Sequence, residues 1–297
     1  MGVAEVRRFN RVVTQRVGAL NEAYLSRGRP LGQDRVLWEI GTDGCDVRSL
    51  RARLDLDSGY LSRLLRSLEG DDLVSVERSE VDARVRIARL TPRGLAERQV
   101  LDERSDELAA SILEPLSEPQ RERLINAMDE VGRLLTASMV RVEVVDPRLP
   151  AAQYCLEAYF AELGRRFEAG FDRTRSISAD NAELTFPAGL LLMATLHSEP
   201  VGCGALKFHG REAAEIKRMW VSPDARGLGL GRRLLTELER AARQHYAPAV
   251  RLETNRNLTE AIALYRSAGY REVPAFNTEP YAHHWFEKSL QSWKTPS

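Results

Sequence analysis

The spacing of apolar residues changes near residue 140, and this change divides the chain into two halves of different structure. From Glu5 to Val140, apolar side chains recur at steps of three and four, which is the period of amphipathic helices. After Arg141, short apolar runs alternate with helical stretches, which is typical of a sheet covered by helices. A chain of 297 residues is long enough for two domains. The sequence therefore predicts one domain over residues 1–140 and a second over residues 141–297.

The first half is predicted to be mainly helical with one small hairpin. Two short runs, Val74–Glu77 and Val85–Ala88, alternate apolar with other residues around a polar turn. Ser117 and Gln120 form a capping box at the start of the last helix. The predicted helices are Val6–Tyr24, Asp34–Ile40, Val47–Leu54, Ser58–Glu69, Pro92–Leu116 and Glu118–Met139.

The second half is predicted to be a mixed α/β domain, joined to the first through the proline-containing stretch Asp146–Pro150. One helix begins at Leu230 and another covers Leu258–Ala268. The predicted strands are Val142–Val145, Leu190–Leu196, Val201–Phe208, Ala214–Val221, Val250–Glu253 and Ala282–Glu287.

Composition excludes several classes of protein. With 43% hydrophobic and 29% charged residues, the chain is neither disordered nor collagen-like. The longest apolar run, Ala188–Leu196, falls well short of the roughly 20 residues of a membrane span, and no apolar run follows Met1. Cys45, Cys155 and Cys203 lie far apart without metal-ligand spacing. We therefore expect a cytoplasmic protein with no membrane association and no metal.

The helices at Val47–Leu54 and Ser58–Glu69, followed by the hairpin, have the order of a winged helix-turn-helix. In such a domain the second helix lies in the major groove and the hairpin reaches the neighbouring minor groove or backbone. If the leucines of that helix are buried, its outward face carries short hydrogen-bonding and guanidinium side chains, which suit base and phosphate contacts. The predicted DNA-contacting residues are Ser58, Tyr60, Ser62, Arg63, Arg66 and, in the hairpin turn, Arg84.

Two alternatives to DNA binding stay open. Arg63 and Arg66 have Glu69 and Asp72 nearby in the sequence as ion-pair partners, and Arg84 has Asp82. A winged helix also serves as a protein-interaction module. The formal net charge of zero, with 43 basic and 43 acidic residues, does not by itself indicate a nucleic-acid partner.

Four segments of this half resemble the MarR family of transcriptional regulators. They are Leu56–Leu65, Leu73–Val74, Asp82–Arg84 and Leu90–Gly94. The resemblance implies that Arg84 enters the minor groove with support from Asp82. It also implies that the long terminal helices form a homodimer, which would bind double-stranded DNA at a palindromic operator.

A glycine-rich turn precedes the helix that begins at Leu230. The segment Arg226–Gly231 reads Arg-Gly-Leu-Gly-Leu-Gly and follows the predicted strand Ala214–Val221. The N-terminus of such a helix presents free N–H groups and a positive dipole to a pyrophosphate. A Rossmann site is the alternative, but it expects the glycines early in the domain and an acidic residue about 20 positions later.

This turn and the segment Asn255–Tyr270 together resemble the acetyl-CoA-binding motifs of the GNAT N-acetyltransferases. Arg-Gly-x-Gly-x-Gly is followed by Asn-x-x-x-Ala-x-x-x-Tyr-x-x-x-Gly-Tyr. The resemblance implies a GNAT fold with a mixed, mostly antiparallel sheet, and acetyl-CoA as the donor. The residues implied to bind this donor are Met219, Val221, Arg226, Gly227, Leu228, Gly229, Gly231, Arg232, Asn257, Ala261 and Tyr265.

Acetyl transfer to an amine needs a base for the amine proton and an acid for the departing thiolate. Glu215, on the strand that enters the glycine turn, is the predicted base. The resemblance places Tyr265 near the sulfur, and Tyr265 is the predicted acid. A backbone N–H near Met219–Val221 is the predicted oxyanion donor. The structural alternatives are an ion pair of Glu215 with Lys217 or an arginine, and a purely packing role for Tyr265.

The acceptor is expected to be an amino-acid-like or small amine, with a protein lysine as the second choice. The predicted acceptor pocket is formed by Phe171, Arg173, Phe186 and Trp220, with Gly170–Pro187 as a lid. The whole chain is thus predicted to be a transcriptional regulator fused to an acetyltransferase. One alternative is a regulator whose GNAT-like domain only senses an acyl-CoA or an amine. Another is an enzyme that uses its winged helix only as a dimer scaffold.

Overall fold

The computed structural model describes residues 2–18, 25, 28–168, 170–177 and 179–290. They divide into two compact units, which cover residues 1–130 and 131–297. None of the described helices combines the length and the apolar character that crossing a bilayer requires.

The first unit is helical with a small antiparallel sheet, in the predicted order of helix, turn, helix and hairpin. Its sheet has the strand order β1-β3-β2. Its elements are α1 (Val3–Arg16), α2 (Leu31–Ile40), β1 (Cys45–Asp46), α3 (Val47–Leu54), α4 (Ser58–Gly70), β2 (Val74–Arg78), β3 (Arg86–Leu90), α5 (Pro92–Leu113) and most of α6 (Glu118–Met139).

The first helix is shorter than predicted. It ends at Arg16, and the chain then turns through Gly18, whose φ of +69° is a left-handed conformation that favours glycine. The predicted continuation through Leu20 and Tyr24 lies outside the described residues.

Helix α4 begins where Asp57 caps its free N–H groups. The Asp57 carboxylate accepts hydrogen bonds from the backbone nitrogens of Gly59 and Tyr60, at 2.9 and 3.0 Å. The four leucines of the predicted inner face are all buried, as the helical spacing requires: Leu61, Leu64, Leu65 and Leu68.

The turn that leaves the hairpin fits tightly against the end of α4. Thr91 caps α5 by accepting a hydrogen bond from Gly94 N, and its hydroxyl donates to the Asp72 carbonyl. A Cβ on Gly94 would lie 1.9 Å from the Leu73 carbonyl oxygen, so only glycine fits there.

The second unit is a seven-stranded sheet with helices on both faces, and its mixed, mostly antiparallel pairing agrees with the prediction. The strand order is β4-β5-β6-β7-β8-β10-β9, and among the described strands only β7 and β8 pair in parallel. Its elements after α6 are β4 (Arg141–Val145), α7 (Pro150–Arg166), β5 (Gly189–Leu196), β6 (Glu199–Lys207), β7 (Ala214–Val221), α8 (Leu230–Gln244), β8 (Ala249–Thr254), α9 (Thr259–Ser267), β9 (Arg271–Val273) and β10 (His284–Ser289).

Strand β5 is buried on both faces, which explains its continuous apolar sequence. Leu190 and Leu192 face the cluster that contains α8, whereas Leu191 faces the cluster that contains α7. The alternation follows the two-residue period of a strand.

The sheet opens between β7 and β8. The described pairing is limited to Ala214 with Val250 and Glu215 with Arg251, although both strands continue beyond these positions. The gap that results leads to the glycine turn at the start of α8.

Helix α7 was not predicted. It begins with Pro150 at its first turn and buries Ala152, Cys155, Leu156 and Leu163. With Tyr159 and Phe160 between them, these apolar residues recur at three- and four-residue steps, which was the available signal.

Candidate functional site

A groove of about 490 Å³ lies where β7 and β8 part, and we call it the loop groove. The end of β7, the glycine turn, α7 and α9 form its walls. Most of the residues implied to bind the donor line it: Met219, Val221, Arg226, Gly227, Gly229, Gly231, Arg232, Ala261 and Tyr265.

The glycine turn brings the backbone close to the loop groove. Gly229 caps α8 with a φ of +71°, a left-handed conformation that a side chain would strain. A Cβ on Gly231 would lie 3.3 Å from Leu264 Cδ2, so the first turn of α8 packs directly against α9. The N-terminus of α8 therefore faces the groove with its N–H groups and positive dipole.

An ion-pair network fixes α7 as the outer wall of the loop groove. Both carboxylate oxygens of Glu162 lie 2.8 Å from the Arg226 guanidinium, and Glu162 also accepts a hydrogen bond from Trp220 Nε1. Arg166 pairs with Glu260 at 2.7 Å, which ties α7 to α9.

Two residues implied to bind the donor lie outside the groove lining. Leu228 packs against the core cluster that contains α8. The Asn257 amide donates to the Arg166 carbonyl at 2.9 Å, so it fastens the loop after β8 to the end of α7.

A second, smaller cavity of about 90 Å³ continues from the loop groove, and we call it the aromatic cavity. Phe167, Phe171 and Tyr281 form one wall, with ring centroids 4.9–5.9 Å apart. Arg218 and Glu253 line the cavity, and so does Glu279. Glu279 accepts hydrogen bonds from Ser176 Oγ and the backbone nitrogens of Ile177 and Tyr281, and so holds the 170–177 loop in place.

The loop groove and the aromatic cavity meet at Tyr265. Its side chain lines both, together with Tyr159, Leu163, Met219, Leu258 and Ala261. Burial raises the pKa of Tyr265, and the charge of Glu253 and the neighbouring Tyr159 raise it further. The hydroxyl is therefore held in its protonated form at the junction.

The structure does not bring Glu215 to this junction. Glu215 lines neither cavity and lies beside two cations, Arg251 at 2.8 Å and Lys217 at 3.4 Å, and beside the His209 ring at 3.6 Å. Burial opposes its ionisation, but Lys217, Arg251 and His209 outweigh burial and lower the pKa of Glu215. A carboxylate held by these partners is poorly placed to accept a proton from an acceptor in the aromatic cavity.

Glu253, which was not among the predicted site residues, is the carboxylate that β8 contributes to the aromatic cavity. It lines the aromatic cavity, pairs with Lys217 at 2.5 Å and accepts a hydrogen bond from the Asn277 amide. No local sequence signal marks it, because it reaches the cavity through the opening of the sheet between β7 and β8.

The residues predicted for the acceptor pocket are separated in the structure. Phe171 lines the aromatic cavity, but Trp220 lines the loop groove instead. Arg173 lines neither and pairs with Glu157 on α7. Phe186 is 68% exposed and packs against His245, also outside both cavities.

Within the described ranges, no group of three His, Cys, Asp or Glu side chains converges as a metal site requires.

The first unit has its own hollow, of about 250 Å³, between α3, the start of α4 and the hairpin, and we call it the arginine hollow. Ser58, Ser62 and Arg84 of the predicted DNA-contacting set line it. Arg48, Arg51 and Arg86 complete its lining of four arginines, and in the described part of the chain none of the four pairs with a carboxylate. Arg48 and Arg51 were missed because their positions on α3 face the hairpin only in the folded unit.

The other predicted DNA-contacting side chains are exposed or half-buried on α4. The Arg63 guanidinium lies 5.7 Å from the centre of the Tyr60 ring, and Arg66 donates to the Ser62 carbonyl of its own helix. In the hairpin turn, the Asp82 carboxylate accepts a hydrogen bond from Arg84 N at 2.9 Å, so it fixes the backbone that carries Arg84.

Comparison with known proteins identifies the second unit. Residues 156–270 match the sequence model of the acetyltransferase (GNAT) family. The chain is 39% identical over 103 residues to an IAA acetyltransferase of Azospirillum brasilense, which is 34% of this chain and 66% of that one. It is 35% identical over 99 residues to an uncharacterized N-acetyltransferase of Schizosaccharomyces pombe, which is 33% of this chain and 58% of that one. The chain thus spans less than two thirds of the length of either relative.

Among solved structures, a mutant of MarR from Escherichia coli is similar at 23% identity. The likeness covers 42% of this chain and 93% of that chain, with a TM-score of 0.38.

The fold and the family match agree on the class of the second unit. The unit is a GNAT acetyltransferase domain.

Proposed function

We propose that this chain transfers an acetyl group from acetyl-CoA to an amine, and that a DNA-binding winged helix is joined to this activity. The observation that carries the first part is the junction at Tyr265. A groove suited to a nucleotide-bearing donor and a smaller cavity suited to an acceptor meet at Tyr265, whose hydroxyl is protonated.

The loop groove fits the donor chemically. The α8 N-terminus supplies N–H groups and a positive dipole for the pyrophosphate, and Gly229 and Gly231 allow close approach of the backbone. The Arg232 guanidinium, held by Ser267, adds a cation to the same wall. Met219 and Val221 offer the edge of β7 to the rest of the donor.

Transfer forms an N–C bond and breaks the C–S bond of the thioester. The amine nitrogen attacks the thioester carbonyl after losing a proton, because its free pKa is about 10 and the protonated form has no lone pair. The thiolate that leaves takes up a proton from Tyr265, whose raised pKa keeps that proton available at neutral pH. The pairing of β7 with β6 is interrupted by a β-bulge at Arg218 and Met219, which leaves backbone groups without partners in the sheet. This supports an oxyanion donor at this point of β7.

The geometry favours Glu253 over Glu215 as the group that receives the amine proton, directly or through water. Glu253 lines the aromatic cavity, whereas Glu215 does not. Glu253→Gln is expected to lower kcat while leaving the affinity for acetyl-CoA unchanged, because the loop groove does not include Glu253.

The test is a screen of amines with the purified protein and acetyl-CoA, read as CoA release and as N-acetylated product by mass spectrometry. Product with at least one amine supports the proposal. Binding of acetyl-CoA without product from any amine would instead favour a sensor of acyl-CoA.

The DNA-binding part is supported by the arginine hollow. Its four arginines lie beside the start of α4, which is the element that a winged helix directs into the major groove. Guanidinium groups without carboxylate partners suit phosphate contacts. We expect binding to double-stranded DNA that weakens steeply with salt.

A homodimer is supported by apolar side chains exposed on two helices of the first unit. Helix α1 has none of its residues buried, and its apolar side chains lie on the surface together with those of α6: Val3, Val6, Phe9, Val12, Ile125 and Met128. A second copy of the chain would cover this apolar surface, and the dimer would present two DNA-binding domains to a palindromic operator. Sedimentation analysis of the full chain tests this directly.

A further inference from the structure

The side chain at the bulge of β7 is an arginine that faces the aromatic cavity. Cys203 pairs with Trp220 and Ala205 with Lys217, so Gly204 alone stands opposite both Arg218 and Met219. Arg218 has a φ of +57°, and its carbonyl accepts a hydrogen bond from Cys203 Sγ instead of joining the ladder. A bulge of this kind redirects a side chain, and Arg218 lines the aromatic cavity.

Arg218 has no carboxylate partner in the described part of the chain, unlike the other cations nearby. Its guanidinium lies against the rings of Phe160 and Tyr159, 4.7 and 5.7 Å from their centres, and its buried Nε has no hydrogen-bond partner. Lys217 pairs with Glu253, and Arg251 pairs with Glu215. A buried donor left without an acceptor costs free energy, which a ligand with acceptor oxygens would recover.

The same cavity holds an anion without a cationic partner. Glu279 is 8% exposed, and the groups that bind its carboxylate among the described residues are neutral donors: Ser176 Oγ at 2.9 Å, Ile177 N at 2.7 Å and Tyr281 N at 3.3 Å. A cavity with one unneutralised cation and one unneutralised anion suits a molecule that carries both a carboxylate and an ammonium group.

The size of the cavity limits that molecule. At about 30 Å³ of liquid volume for each water, a cavity of about 90 Å³ corresponds to roughly three waters. This is room for a compact amino acid rather than for a long peptide side chain with its backbone.

We propose that the acceptor is a compact amino acid, whose carboxylate is bound by Arg218 and whose amine is directed toward the junction at Tyr265. A guanidinium fork binds a carboxylate through two parallel hydrogen bonds, which an amide cannot reproduce with the same charge. This inference rests on the proposed acetyl transfer, since it names the acceptor class of the same site.

The experiment compares free amino acids with their carboxamides, on the wild-type protein and on Arg218→Gln. The wild type is expected to acetylate at least one compact amino acid, such as alanine or serine, about 10- to 100-fold more efficiently in kcat/KM than its amide. In Arg218→Gln, kcat/KM for the amino acid is expected to fall by this factor, whereas kcat/KM for the amide is expected to stay the same. Arg173→Gln is the matched control, because Arg173 also lies over Phe160 but pairs with Glu157 outside the cavity.

Binding is measured as well, so that the result does not depend on turnover. Calorimetric titration of the amino acids into the protein with CoA is expected to show binding that Arg218→Gln weakens by a similar factor and Arg218→Lys weakens less. Equal use of amino acids and amides, or an equal effect of Arg218→Gln on both, overturns the inference while leaving acetyl transfer intact. Absence of binding by every amino acid also overturns it. Absence of transfer to any amine, with amino-acid binding intact, counts against the proposed function alone.

Discussion

The Arg251 guanidinium donates two hydrogen bonds, of 2.8 and 3.1 Å, to one carboxylate oxygen of Glu215 at the register position where the parallel pairing of β7 and β8 ends. Beyond this point the sheet opens toward the loop groove. The pair therefore fastens the two strands immediately before the gap that the site requires. Glu215 is expected to stabilise the fold rather than to act as a base.

We predict that Glu215→Gln lowers the free energy of unfolding at pH 7 by roughly 1–3 kcal/mol, because it leaves Arg251 without its carboxylate and removes one of the two carboxylates beside the buried Lys217. The lowered pKa of Glu215 fixes the pH dependence. The stabilisation is present above the pKa of the unfolded carboxyl, about 4.3, and is lost as the pH falls through the lower folded value. Urea denaturation at pH 7 and at pH 4 or below should show the difference between variant and wild type shrinking.

The control for this prediction is Glu199→Gln, at an exposed position at the start of β6 with no ion pair in the described ranges. It should leave stability unchanged. If Glu215→Gln kept wild-type stability but lost acetyl transfer, Glu215 would be the base after all.

The local spacing of apolar residues was sufficient to predict many of the helices and strands, because their apolar residues face one side at a fixed period. The bounds of α3 and β7 agree with those predicted. Of the capping box predicted at Ser117 and Gln120, one half is present, as a hydrogen bond from Ser117 N to the Gln120 side-chain oxygen. Helix α7 was missed, although it supplies Glu162 and Arg166 to the groove wall.

The site could be predicted only in part, because several of its members meet through tertiary structure. Tyr265 and the glycine turn stand in contiguous motifs that the sequence displays. Glu253 and Arg218 come to the aromatic cavity through the opening of the sheet and through a bulge, neither of which leaves a periodic signal. Glu215 lies near the glycine turn in the sequence, but it lines neither cavity in the folded site.

We predict that Gly229→Ala weakens acetyl-CoA binding by tenfold or more. Gly229 caps α8 with a φ of +71°, and an alanine in that conformation costs roughly 1–2 kcal/mol and displaces the N–H groups that face the groove. Calorimetric titration with CoA measures the effect. Gly164→Ala on α7 is the matched control, since nothing lies within 4 Å of its added Cβ, and it should bind CoA as the wild type does.

We predict that Arg48→Ala and Arg84→Ala each weaken DNA binding and each reduce the salt dependence of the affinity by about one ion. Both side chains line the arginine hollow, one from α3 and one from the hairpin. The measurement is fluorescence anisotropy with DNA enriched from a random pool, over a range of salt. Arg240→Ala, at an exposed arginine that pairs with Glu237 in the second unit, should not change binding. Wild-type salt slopes in both hollow variants would contradict a DNA-binding hollow.

We predict that Gly94→Ala strongly destabilises the first unit, because a Cβ would stand 1.9 Å from the Leu73 carbonyl oxygen and force α5 away from the end of α4. Gly132→Ala, in the middle of α6 with open space around its Cβ, should leave stability the same or raise it by up to about 1 kcal/mol. Thermal unfolding followed by circular dichroism distinguishes the two. Equal melting temperatures for both variants would show that the packing of the turn is looser than described.

The role of Tyr265 at the junction of the two cavities is tested most directly by rapid-quench acetyl transfer with the best amine from the screen. The rates of the wild type, Tyr265→Phe and Tyr270→Phe are compared. Tyr270 is a suitable control, because it is buried, its ring lies 5.9 Å from that of Tyr265, and it lines neither cavity. We expect Tyr265→Phe to slow transfer by about 10²–10⁴-fold without loss of acetyl-CoA affinity, and Tyr270→Phe to change the rate little. The wild-type rate should also rise with pH as the amine loses its proton, without the fall at alkaline pH that loss of the Tyr265 proton would cause, since the raised pKa of Tyr265 keeps the acid protonated. Equal rates for the wild type and Tyr265→Phe would contradict a junction built around this hydroxyl.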